Sequence, residues 1–256
     1  MTANFISGTI PDTIGFLSSL RNLNLASNKL TGAIPDSMSN LRSIKTLDLE
    51  SNSLTDRIPS SFGILNSLTS LNLGSNFLTA TIPDTISRLK SLQQLILSDN
   101  SLTGLIPDGI TALISLRILL LSRNLIIGSL PSHIGALSNL EKLDYSGNQL
   151  KGMVPSSVSA LKKITTVDLN SKYLSTDKAS TVRSSTFSTG TFNSYFNLSN
   201  NCLKFTNLQP FRDISPSQCV PLVSDVCHFL LPSIFLFYSS TLYFSPFLSF
   251  HFLSLC

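Results

Sequence analysis

Asp48, Asp144 and Asp168 stand at multiples of 24 residues from one another. Carboxylates repeated at a fixed spacing could pair as a general acid and base. Only Asp144 and Asp168 would adjoin, at about 4.8 Å if they lie on neighbouring strands, and a solvated face accounts for all three. His133 has no cysteine or acidic cluster to serve and reads as a surface residue. The four cysteines, Cys202, Cys219, Cys227 and Cys256, carry no CxxC or Cys/His spacing, so a zinc site is not indicated. No P-loop, GxGxxG, HRD…DFG or GxSxG pattern occurs. The sequence therefore assigns no catalytic residue, no cofactor and no metal. A different chemistry does recur, the hydrogen bonding of amides. Asn4, Asn28, Asn52, Asn76, Asn100, Asn124 and Asn148 are each 24 residues apart. A buried amide left unpaired costs about 1–3 kcal/mol. The strict period thus predicts a ladder of asparagines turned inward onto the backbone of adjoining turns.

The elements that hold this ladder share its period. Leu17, Leu41, Leu65, Leu89, Leu113, Leu137 and Leu161 form one column. Leu23, Leu47, Leu71, Leu95, Leu119, Leu143 and Val167 form a second, and Leu25, Leu49, Leu73, Leu97, Leu121, Tyr145 and Leu169 a third. The LxL core alternates with polar residues, the pattern of a strand with one buried face. Seven apolar positions recur per unit, in the second Leu30, Ile34, Met38, Leu41, Ile44, Leu47 and Leu49. Stacking must bury them, because one unit alone cannot offset the entropy of its own ordering. A proline column runs from Pro11 to Pro155, and an Ile-Pro step favours extended backbone before the proline, which fits a second short strand. The glycine of LxGxIP marks a tight backbone position. It is Asp56 and Ala80 in two copies, so either those turns differ or the position does not need a positive φ.

The unit LxxLxLxxNxLxGxIPxxxxxLxx, as in residues 20–43, resembles the leucine-rich repeats of plant secreted proteins and receptor ectodomains. The resemblance implies an α/β solenoid, a right-handed superhelix with a parallel β-sheet on its concave face. It implies residues 1–174 as leucine-rich repeats, 175–219 as a degenerate repeat and C-terminal cap, and 220–256 as a hydrophobic Phe/Ser/Leu-rich tail. It also implies an extracellular or plasma-membrane location and a protein or peptide partner, with a co-receptor as a further partner. Within the cap it suggests a bridge between Cys202 and Cys219, with two free thiols left open as the alternative. Asn197 opens the single N-glycosylation sequon.

The outward positions beside the LxL leucines are the binding candidates. Most are polar, but Ile96, Ile118 and Leu120 adjoin one another in the fourth and fifth strands, beside Gln94 and Asp144. Arg117 and Arg123 flank them and are expected to bond an acidic group or a C-terminal carboxylate of a ligand. An apolar cluster rimmed by charge is a contact site, unless exposed strand propensity alone explains it.

Lys and Arg total 18 and Asp and Glu 14, with charged residues only 12% of the chain, which excludes the clustered basic face that nucleic acid requires. Residues 228–256 contain no charged side chain. A membrane anchor, a translated pyrimidine-rich intron, and a removed tail all stay open for them. The start, MTANFISGTIPD, lacks the pattern of a secretory signal and the paired-Cys cap of relatives, so a fragment or incomplete gene product is expected. The leading reading is a recognition module in signalling or defence. The alternatives are an inhibitor of a secreted cell-wall-degrading enzyme and a truncated, non-functional receptor product.

Overall fold

The computed structural model describes residues 5–170, together with the backbone of Tyr173–Ser175 and Tyr195–Asn197. By internal contacts the chain divides into Met1–Gln218 and Cys219–Cys256, and everything described lies in the first unit. The expected Cys202–Cys219 bridge, the side chain of Asn197 and the 228–256 tail lie outside the described residues.

Each unit contributes one three-residue strand to a long parallel sheet. Its strands, in chain order, are β2 (Asn22–Asn24), β4 (Thr46–Asp48), β6 (Ser70–Asn72), β7 (Gln94–Ile96), β8 (Ile118–Leu120), β10 (Lys142–Asp144), β12 (Thr166–Asp168) and β14 (Tyr195–Asn197). Neighbours in sequence are neighbours in the sheet, in a register that pairs residues 24 apart from β2 to β12. The strand centres fall one residue earlier than the outward column suggests, on the inward leucine, and Leu47, Leu71, Leu95, Leu119 and Leu143 are fully buried. All seven core positions of the second unit are buried. Tyr145 takes a leucine place in the core, its hydroxyl without a hydrogen-bond partner among the described residues, and burial pushes its phenol well above the ordinary value.

A second set of strands runs along one flank: β1 (Ser7–Thr9), β3 (Lys29–Ala33), β5 (Ser53–Thr55), β9 (Ile127–Gly128), β11 (Gln149–Met153) and β13 (Tyr173–Ser175). They form two three-stranded parallel sheets, separated by a stretch that keeps only the bridge Thr81–Thr103. Helical structure among the described residues consists of 3₁₀ turns. Six of the seven begin directly after a column proline, as in Asp36–Asn40 and Asp108–Ala112. The proline supplies a preset φ, and its carbonyl accepts the first turn's N–H, as from Met38 to Pro35 at 3.1 Å.

From Asn28 to Asn148 the asparagine ladder forms as expected, and Asn4 lies outside the described residues. Asn124 is typical: its Oδ1 accepts the N–H of Leu102 in the preceding unit at 3.0 Å, and its Nδ2 donates to the carbonyl oxygens of Leu97, Leu121 and Ser122. Asn52, Asn76, Asn100 and Asn148 repeat the pattern. The residue before each ladder asparagine turns the strand with a positive φ, whether Ser27, Ser51, Ser75, Asp99, Arg123 or Gly147. The glycine position of LxGxIP also has a positive φ in every described copy, including Asp56 (φ 64) and Ala80 (φ 60). Both alternatives drawn from the sequence are thus corrected: the turns are alike and the conformation is required. The stack on either side fixes the backbone there, whatever the side chain.

Candidate functional site

Outward residues of the long sheet fall into two columns, and one of them has a structural task that the sequence reading missed. In that column the side-chain oxygen caps the backbone N–H two residues on. Asn24 caps Ala26, Asp48 caps Glu50, Asn72 caps Gly74, Asp144 caps Ser146 and Asp168 caps Asn170, at 2.9–3.2 Å. These aspartates are therefore turn-capping groups, an Asx geometry that short polar side chains adopt readily. They are not merely a solvated face.

Two units break this rule. Ile96 and Leu120 put hydrocarbon where the capping oxygen stands elsewhere, and the N–H groups of Ser98 and Ser122 go without a side-chain cap. A hydrogen bond of this kind contributes about 0.5–1.5 kcal/mol. Strand propensity favours Ile over Asn, but it gives no reason to expose two large aliphatic groups side by side. Ile96 and Leu120 face each other across β7 and β8, and Ile118 faces Gln94. All are half-buried, and the Gln94 Oε1 accepts a hydrogen bond from the Ser70 hydroxyl at 3.3 Å. Asp144 lies beside Leu120 on the next strand, and Lys142 beside Ile118. The structure thus brings together Gln94, Ile96, Ile118, Leu120 and Asp144.

Arg117 and Arg123 border this cluster, but their guanidinium groups are already engaged. Arg117 holds Glu141 with two bonds of 2.8 and 3.0 Å. Arg123 holds both oxygens of Asp99, with the Nη2–Oδ2 bond at 2.7 Å. Each pair spans 24 residues, and that spacing puts its two members in adjoining turns. The signal was therefore present in the sequence. The hydrogen bond from Arg117, and then its charge, holds the Glu141 carboxyl below its ordinary range, and Lys163 and Lys142 add to the effect. Hydrogen bonding to Glu141 and Asp99 raises the two arginines in turn. Both arginines spend their Nε–Nη2 edge on these ion pairs, which offset their charge.

A second apolar patch, also missed in the sequence, lies on the flank. Leu105 and Leu125 are 63% and 47% exposed, and Ile127 is 45% exposed. Leu105 lies over Gly128 so closely that a Cβ there would collide with it. Earlier in the chain the Ile127 column reads Thr31, Thr55, Thr79 and Thr103, all exposed. Comparing those columns would have found the change to Ile127.

Comparison with known proteins follows this geometry. A family model described as "Leucine rich repeat" matches residues 1–54 and 66–126, and a second of the same description matches 139–161. No curated protein matches the chain. Among solved structures, the Arabidopsis receptor kinase HAESA, crystallised with the peptide hormone IDA and the co-receptor SERK1, is 35% identical with a TM-score of 0.63. That similarity covers 67% of this chain and 29% of that one. A TDR receptor is 32% identical with a TM-score of 0.61, over 78% of this chain and 38% of that one. The chain thus spans well under half the length of either receptor. A plant ice-binding protein is 26% identical with a TM-score of 0.53, over 80% of each chain.

Proposed function

Because this chain belongs to the leucine-rich-repeat family, we propose that it is a recognition module for a protein or peptide, acting outside the cell or at the plasma membrane and contacting its ligand through β7 and β8 of the long sheet. One observation carries the reading. At Ile96 and Leu120 the sequence gives up the cap that every other described unit keeps, and presents hydrocarbon in its place. The Ser98 and Ser122 hydroxyls bond each other in these units at 3.0 Å, but neither backbone N–H regains a side-chain cap, whereas a partner covering the cluster regains apolar burial at about 25 cal/mol per Å². Short strands locked by the asparagine ladder hold the contacts in place, so little ordering is required on binding. The similarity to a receptor kinase crystallised with a peptide hormone supports the same class of ligand.

The variant Leu120→Asn tests this with the fold protected, since Asn24 and Asn72 already cap at that position. Segments selected from a displayed random-peptide library on the full chain should lose affinity by about tenfold or more against the variant. Its unfolding midpoint should barely move. Undiminished affinity would place recognition elsewhere.

A second reading, ice binding, is favoured by the exposed column Thr31, Thr55, Thr79 and Thr103 on the flank and by the plant ice-binding relative. Exposed Arg57 and Phe77 interrupt that face and rank the reading second. A freezing-point hysteresis abolished by Thr79→Lys would support it, and no hysteresis would remove it.

A further inference from the structure

We infer that the ligand presents a cation on an alkyl stem, a lysine or arginine side chain, to the boundary between β8 and β10; this rests on the recognition reading above. The arginines at the rim would suggest the opposite charge, but each is paired with a carboxylate, Glu141 or Asp99, which offsets its charge. Of the two charges on β10, Lys142 and Asp144, the one beside Leu120 is the carboxylate. Capping does not require an aspartate, because Asn24 and Asn72 perform it with an amide oxygen. The charge at Asp144 is therefore surplus to the turn. Its Oδ1 takes both the N–H and the hydroxyl of Ser146, at 2.9 and 2.7 Å, and no hydrogen bond to its Oδ2 is made among the described residues. Asp48 differs, since its Oδ2 accepts from Asn24 at 3.0 Å.

Position completes the argument. Asp144 stands directly beside Leu120, with Asp168 on its other side. A long basic side chain can lay its methylenes along Ile96 and Leu120 and bring its head to the Asp144 carboxylate, the arrangement by which Lys and Arg cover apolar surface. Lys142, two residues earlier on the same strand and beside Ile118, repels a cation from that end of the cluster and so sets its direction. Arg123 also feels the charge of Asp144, but its guanidinium is held by Asp99.

The probe is a displayed random-peptide library selected on the full chain, followed by titration of the recovered peptides, made with blocked termini. The expected result is enrichment of a lysine or arginine next to apolar residues, with affinity falling about tenfold against Asp144→Asn. Peptides that depend on Leu120 but carry acidic groups, or that bind Asp144→Asn unchanged, overturn the inference and leave the site standing. Peptides indifferent to Leu120→Asn, or no enrichment at all, overturn both.

Discussion

Ala80 shows how far neighbours can force one residue. Its φ of 60° lies in the left-handed region, where an L side chain costs about 1–2 kcal/mol and glycine almost nothing. Five described copies of the position use glycine there, from Gly8 to Gly152. Ala80→Gly should therefore stabilise the chain by about 1 kcal/mol, less what glycine costs in unfolded-state entropy. Thermal unfolding measures this; a fall in midpoint would mean that the methyl packs usefully enough to outweigh the strain. The sequence carried the glycine column but not its meaning, because a missing glycine reads equally as a changed turn or a relaxed requirement. The aspartates show the same limit. Spacing revealed their column, yet the bond from Asp144 to its own backbone two residues on depends on a turn geometry that spacing alone does not display.

At the scale of the element, strand and ladder were both legible, because a fixed period of leucines and asparagines leaves one stacking solution. What the period could not tell is where the strands along the flank would lapse. They do so between β5 and β9, around Phe77 to Leu105, where one isolated bridge remains. The ladder also ties each unit to the one before. Asn124 is 4% exposed, and Asn124→Ala would leave the Leu102 N–H without its partner, while the Leu97 carbonyl would keep only Asn100. Destabilisation of about 1–3 kcal/mol is expected, since a buried donor goes unpaired. Hydrogen exchange should locate the damage. The Leu102 amide, one unit earlier than the substitution, should lose protection first. A change confined to residues 124–126 would contradict a ladder that bonds between units.

At the scale of the whole molecule, a stack of near-identical units can carry recognition on a face, as departures from the repeat. Among the described residues two apolar patches depart in this way, one on the long sheet at Ile96, Ile118 and Leu120 and one on the flank at Leu105, Leu125 and Ile127. The first was legible, since outward positions beside LxL stand out by alternation. The second was legible only in part: comparing the Ile127 column with its earlier threonines would have found that change, but the exposure of Leu105 and Leu125 came from the structure. The flank is the more exposed of the two, but its leucines and isoleucine displace no capping group, whereas Ile96 and Leu120 do. The most direct test compares the two patches in one sample. With isoleucine and leucine methyl groups ¹³C-labelled, a peptide selected on the chain is added and methyl shifts are followed by NMR. The account predicts that the Ile96, Ile118 and Leu120 methyls shift and saturate with binding while those of Leu105, Leu125 and Ile127 stay in place. Saturating shifts on the flank with the long-sheet methyls unmoved would contradict it.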